Sequence, residues 1–263
     1  MDFETIEFGI EGGIARLALN RPRSLNSFNV GMHREVAQAM DALEADDTLR
    51  CLLLTGRGRG FCAGQDLSDR AVEPGAGAPD LGYSLEAYYN PLIRRLRALP
   101  VPVICAVNGV AAGAGVNLAL ACDLVLAARS ASFVQAFCRI GLVPDSGGTW
   151  HLPRLVGQAR AMGLALLGDK LTAEQAAEWG MIWKVIDDDA LEGEAEELAT
   201  HLASQPTRGL AYIKQAIHAS WNNNLDQQLD LERDLQRAAG KTEDYREGVA
   251  AFMEKRTPRF SGR

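Results

Sequence analysis

Two short apolar runs, residues 51–55 and 103–107, each break off into a glycine-rich loop. Runs of this length bounded by breakers read as buried strands. The first loop contains Arg59-Gly-Phe-Cys-Ala-Gly-Gln-Asp-Leu67 and carries glycines at 56, 58, 60 and 64; the second runs from Asn108 to Gly115. Glycine lets a ligand come close to the backbone, and such loops can aim free N–H groups at an anion. From the glycines alone, two readings stand. One is a pair of ordinary turns. The other is a single site with one donor from each loop, the arrangement of an oxyanion hole.

The rest of the chain reads as α/β. Residues 3–10 and 14–19 form two strands around the Glu11-Gly12-Gly13 turn. Asn29 caps a helix with Met32, Val36, Met40 and Leu43 on one face. Residues 71–82, rich in Gly, Ala and Pro, read as a mobile loop over the site, followed by a helix over 85–99 and a small-residue helix opening at Gly115. A short strand over 123–127 comes next, then helical patterns near Thr149 and over 159–167. Thr172 to Gln175 is a capping-box signal, and residues 181–186 form a strand. After residue 192 the pattern is only helical, over 192–204, 207–220, 225–239 and 242–254. An α/β core over 1–191 and an α-helical region over 192–263 are expected.

Composition narrows the function. With 47% apolar residues, the 263-residue chain can build a full core. A net charge of −7 argues against nucleic acid or an anionic membrane as partner. No run of about 18 apolar residues occurs, so no membrane span is expected. Acidic residues come at once at the start, with no apolar signal core. Five cysteines without a C-x-x-C pair read as reduced thiols, which points to the cytoplasm. Histidines 33, 151, 201 and 218 are scattered and lack metal-ligand spacing, so they read as structural or solvated. No nucleotide-cofactor fingerprint and no nucleophile motif is present.

The two loops, in this order and spacing, resemble those of the enoyl-CoA hydratase/isomerase (crotonase) family. The matching stretches are Phe61 to Leu67 and Asn108 to Asp123, joined by Asn20-Arg21-Pro22 and Gly141-Leu-Val-Pro-Asp145-Ser-Gly-Gly-Thr149. The resemblance covers essentially the whole chain. It implies a spiral of ββα units with a C-terminal helical region that builds trimers or hexamers of paired trimers. It also implies an acyl-CoA substrate, with coenzyme A as part of that substrate, no separate cofactor and no metal. Within the family, the likeness is to isomerases of bacterial phenylacetate degradation. These turn a ring-1,2-epoxidised phenylacetyl-CoA into the seven-membered oxepin form by moving a proton from carbon 2 into the ring. A Δ3,Δ2-enoyl-CoA isomerase activity and association with a pathway hydratase are further expectations.

By the family pattern the oxyanion donors are the amides of Gln65 and Ala114, where Ala114 replaces the usual glycine and its methyl group is expected to narrow the pocket. The two glutamates of the hydratases correspond to Asn117 and Phe137, neither of which exchanges protons at neutral pH. Asp145 matches the acid/base of dienoyl-CoA isomerases. Alone, Asp before Ser-Gly-Gly is more often a helix cap; the lost glutamates and the family match favour catalysis. One carboxylate suits an isomerase, which returns the proton it takes. Phe137 is expected beside Asp145, and Asn117 against its carboxylate, the substrate or the helix packing. The family match places substrate and CoA contacts at Arg23, Ser24, Leu25, Ala63, Gln65, Asp66, Leu67, Gly113, Asn117 and Phe137. It adds Phe252 and Lys255, reaching across from a neighbouring subunit. Asp66 is expected to be mainly structural. The alternatives are an enoyl-CoA hydratase and a non-catalytic CoA-binding partner subunit.

Overall fold

A computed structural model describes residues 2–70 and 80–263. The chain opens with a hairpin, β1 (Ile6–Glu11) and β2 (Ile14–Leu19), turned by Gly12 and Gly13 at positive φ. Helix α1 (Val30–Ala45) starts where Asn29 accepts a hydrogen bond from the Met32 amide, a cap worth about 1 kcal/mol. Its Met32, Val36, Met40 and Leu43 are buried, each contributing roughly 1.5–3 kcal/mol.

Three turns of a spiral follow. The first has β3 (Cys51–Gly56) and β4 (Gly60–Cys62), then α2 (Leu81–Ser84), a π-turn (Leu85–Tyr89) and α3 (Asn90–Ala98). The second has β5 (Val103–Val107), β6 (Val110–Ala112) and α4 (Ala114–Leu120). The third has β7 (Leu124–Ala128), β8 (Ser132–Val134), a 3-10 turn (Ala136–Ile140), α5 (Gly148–Val156) and α6 (Gln158–Leu167). β9 (Lys170–Thr172), α7 (Ala173–Glu178) and β10 (Lys184–Ile186) complete the core. The helices α8 (Leu191–Ala203), α9 (Thr207–Ser220), α10 (Leu225–Ala239) and α11 (Glu243–Glu254) end the chain.

Each turn steps from one sheet to another. The large sheet has order β1-β2-β3-β5-β7-β10, parallel beyond the hairpin; the small one has order β4-β6-β8-β9. β3, β5 and β7 lie almost wholly buried, as parallel strands covered on both faces do. Helix α8 packs on β2, β3, β5 and β7, while α9 packs against α10.

The long elements fall within a few residues of where the periodicity puts them, and the capping box at Thr172 and Gln175 is present. Three differences have local causes. The small sheet is absent from the sequence reading because its strands are three residues long, too short for any alternation to register, and β4 and β6 sit inside the glycine loops. The helix expected over 85–99 is a π-turn running into α3. Residues 71–79 of the expected mobile loop lie outside the described residues, and its end, residues 81–82, is helical.

Helix α9 is fixed to the core by a buried charge. Lys214 Nζ lies 2.8 Å from Asp123 Oδ2 and donates to the carbonyls of Leu96 and Val101, both at 3.2 Å. Asp123 also accepts from the Val103 amide at 2.8 Å. Burial raises the Asp123 carboxyl above its ordinary range despite the opposing Lys214 ammonium. Lys214→Met removes one partner of a buried pair, expected to cost about 3–5 kcal/mol. The measurement is thermal unfolding: a fall in Tm of roughly 10 °C is expected for a chain of this size, and an unchanged Tm would refute the anchoring role.

Candidate active site

The first glycine loop leaves β4 as Ala63-Gly64-Gln65-Asp66 and is clamped along one edge. Ala63 donates to the Leu25 carbonyl at 2.9 Å, Phe28 to the Gly64 carbonyl at 2.7 Å, and Asp66 to the Phe28 carbonyl at 2.9 Å. This is a one-residue parallel bridge between Phe28 and Gln65. In such a bridge the partners of Phe28 are the residues flanking Gln65, so the N–H of Gln65 itself points away from that edge.

The second loop leaves β6 through Gly113, whose φ of 54° and ψ of −124° suit glycine alone, and enters α4 at Ala114. The first N–H groups of a helix have no acceptor within it, so the Ala114 amide is available. The two loops touch. A Cβ on Gly64 would sit 3.3 Å from Ala114 N and 3.0 Å from the Ala112 carbonyl oxygen. A Cβ on Gly115 would sit 2.2 Å from the Cys62 carbonyl oxygen, so α4 presses directly on β4. The two loops therefore meet where Gly64 faces the start of α4. Ala114 is 4% exposed and belongs to the hydrophobic core.

Asp145 lies half-buried in the turn that enters α5. Ser146 adopts a left-handed φ of 51°, unusual for a non-glycine residue, and Gly147 follows at 80°. Ser146 Oγ donates to Asp145 Oδ1 at 2.9 Å. The Asp145 carbonyl accepts from the Gly148 amide and from Asn117 Nδ2, both at 2.8 Å. Asn117 is fully buried, and its Oδ1 accepts from Gln135 Nε2 at 2.8 Å. Through these bonds Asn117 holds the Asp145 backbone rather than its carboxylate. Phe137, 7% exposed, stands over Gly113, 3.6 Å from where a Cβ there would be. It thus packs against the second loop.

The other expected residues divide into two groups. Arg23 and Ser24 lie in a 3-10 turn (Pro22–Ser24), and Leu25, left-handed at φ 49°, meets the first loop through its carbonyl. Leu67 is 55% exposed at the rim. Asp66 pairs with Arg21 at 2.9 Å and accepts from Ser68, and these bonds hold its carboxyl below the ordinary range, so it stays ionised. Phe252 and Lys255 lie apart from the loops, at the exposed end of α11; Phe252 lines a groove of about 380 Å³ with Tyr245, Val249 and Phe260.

His33, read from the sequence as structural or solvated, and Tyr89 both contact the first loop. Tyr89 Oη donates to Gln65 Oε1 at 3.1 Å, and His33 Nε2 lies 3.3 Å from the same oxygen. His33 sits among the apolar positions of α1, and nothing in its spacing marks it. Burial also holds interior thiols and imidazoles neutral. Burial pushes the Cys62 thiol up to about 12 and lowers His151 to about 3. Among the described residues no group of three His, Cys, Asp or Glu side chains could hold a metal ion, and no helix is long and apolar enough to cross a membrane.

The fold is a two-sheet ββα spiral whose first two turns bring their glycine loops into contact and whose third carries Asp145. The sequence matches the family model for enoyl-CoA hydratase/isomerase over residues 9–263. The chain belongs to that family. It is 65% identical over 254 residues, 97% of each chain, to the 1,2-epoxyphenylacetyl-CoA isomerase of Escherichia coli (strain K12). It is 48% identical, over the full length of both, to a probable enoyl-CoA hydratase of Rhodobacter capsulatus. The crystal structure of an enoyl-CoA hydratase from Bacillus anthracis superposes with a TM-score of 0.93 at 33% identity, covering 99% of this chain and 100% of the other.

Gly148 shows how tight the support of Asp145 is, since a Cβ there would lie 2.4 Å from Asn117 Nδ2. Gly148→Ala is expected to displace the Asp145 turn and to lower kcat on the order of 10²-fold, the scale of a 1 Å misplacement. Steady-state kinetics beside an acyl-CoA binding measurement would check this; unchanged kcat would show that the turn tolerates the shift.

Proposed function

We propose that this protein is a CoA-thioester isomerase that converts ring-1,2-epoxyphenylacetyl-CoA to oxepin-CoA and also moves the double bond of 3-enoyl-CoA to position 2. One observation carries the reading. Asn117 and Phe137, which by the family resemblance take the places of the hydratases' two glutamates, carry no acid and have other contacts: Asn117 with the Asp145 carbonyl, Phe137 over Gly113. Asp145 is left as the proton carrier. The 65% identity to a protein named as that isomerase gives the acyl group.

The chemistry follows from the groups present. Asp145 takes a proton from carbon 2, and the electron pair moves onto the thioester oxygen. The Gln65 and Ala114 N–H groups stabilise that oxyanion, each worth about 2.7–4 kcal/mol of barrier. The same carboxylic acid then delivers the proton at the far end of the conjugated system, and the double bond comes into conjugation with the thioester. With the arene oxide opened to its oxepin form, that far end lies in the ring. No net charge or atom is gained or lost.

Arg23 suits a CoA phosphate, with Ser24, Leu25, Ala63 and Leu67 along the pantetheine arm. Residues 192–263 are proposed as the assembly region of a homotrimer or paired trimers in the cytoplasm. Exposed Ile213, Ile217, Leu225, Leu229, Val249 and Phe252 support this. In that assembly Phe252 and Lys255 would reach a neighbour's CoA. A complex with a pathway hydratase is compatible with the same faces. The hydratase reading has the name of the Rhodobacter relative in its favour.

The test is a paired assay on a 3-enoyl-CoA, following double-bond migration and water addition in wild type and Asp145→Asn. Migration without hydration, reduced about 10²–10⁴-fold in the variant, is the expected result for a general acid–base group. Hydration by the wild type would move the assignment to hydratase. Acyl-CoA binding with no turnover of this or the epoxide substrate would favour the non-catalytic subunit.

A further inference from the structure

The oxyanion amide of Gln65 is held by its backbone along one edge only. Its side chain is held from the other direction by two buried rings. Tyr89 is 3% exposed and His33 5% exposed, and both reach Gln65 Oε1. A buried phenol needs a hydrogen-bond partner; Tyr89 finds it on the residue whose main chain faces the thioester oxygen.

The local fold serves this contact. The turn Leu85–Tyr89 is a π-turn between two α-helical segments, and such turns recur at functional sites. It brings two consecutive tyrosines onto one imidazole. Tyr88 stacks on His33 at 4.8 Å and 15°, while Tyr89 meets the same ring edge-on at 4.6 Å and 86°. Phe28 closes the cluster, 4.8 Å from His33 and 5.9 Å from Tyr89. Phe28 is also the residue whose backbone bridges Gln65. Main-chain pairing and side-chain clamp therefore converge on one residue through a common set of rings.

We propose that Tyr89 and His33 are positioning residues that fix the oxyanion amide by clamping the Gln65 side chain. The proposal rests on the isomerase reading above for what that amide does. Without the clamp, Gln65 regains its side-chain rotamers and its peptide is restrained from the Phe28 edge of the loop. Preorganisation of the donor is then weakened while the thioester still binds.

The test uses Tyr89→Phe, Gln65→Met and the double variant in the full-length chain. Gln65→Met keeps the backbone amide and loses only the side-chain acceptor. Each single change is expected to lower kcat roughly 3–10-fold, the rate equivalent of one buried hydrogen bond, with KM little altered. The double variant should be no slower than Gln65→Met, because that change already removes the Tyr89 contact. A second readout needs no turnover: the infrared stretch of the ¹³C-labelled thioester carbonyl of bound phenylacetyl-CoA. Hydrogen bonding lowers that frequency in wild type, and part of the lowering should be lost in both variants. Should Tyr89→Phe fold poorly, Gln65→Met, which leaves the ring packing intact, carries the test.

Unchanged carbonyl frequency and kcat in the variants, or losses that multiply in the double, would overturn the clamp while leaving the isomerase intact. A wild type with neither turnover nor a lowered carbonyl frequency would overturn both.

Discussion

The bond on which the site depends is the one from Asn117 Nδ2 to the carbonyl of Asp145. Asn117 lies one turn into α4, and Ala114, whose amide faces the thioester oxygen in the proposed mechanism, opens that same helix. A single short helix thus sets both the oxyanion donor and the turn that carries the acid/base. The distance between them cannot drift unless the helix itself deforms. Asn117 is fully buried, so its amide must be satisfied inside the protein, and Gln135 and Asp145 together take both of its ends. Releasing either would leave a buried polar group without a partner, at about 1–3 kcal/mol.

Helix α4 is itself wedged in place by residues without side chains. Gly115 lets it close on the Cys62 carbonyl, Gly148 lets α5 close on Asn117, and Gly113 lets the chain turn from β6 into the helix. The small sheet explains why these approaches occur here. β4 and β6 pair in parallel, and both loops leave the sheet at neighbouring strand ends. Gly64 and Ala114 meet because two successive turns of one spiral end at the same level.

The sequence shows the long elements well and the short ones poorly, for one physical reason. Burial leaves a periodic trace only where an element runs for several residues. The α1 face, the strands β3 and β5 and the helices α8 to α11 have that length. The strands of the small sheet, three residues each, do not. The candidate site was legible through its loops: Gln65, Ala114 and Asp145 come from motifs with fixed spacing. Its supports were not. Asn117 could be seen to lack a carboxylate but not to hold a backbone carbonyl 28 residues away. His33 and Tyr89 lie in helical stretches where an aromatic ring is ordinarily core, and their shared partner on Gln65 is a tertiary fact.

Electrostatics favours a one-carboxylate reading of such a site. With glutamates at 117 and 137, three acids would converge, and mutual repulsion would raise the proton affinity of at least one of them. That suits water addition, which needs an acid and a base at once. With Asn117 and Phe137 instead, Asp145 is relieved of those neighbours and can hold one proton between two carbons. Asp66 does not reintroduce the problem, since Arg21 and Ser68 keep it ionised and bound. Its charge is spent on joining the first loop to the Asn20-Arg21-Pro22 segment, because Arg21 also donates to the Ser27 carbonyl at 2.6 Å. The two aspartates thus have opposite tasks: Asp66 keeps its charge fixed so that the loop stays in place, and Asp145, in the proposed mechanism, gains and loses its charge once in every turnover.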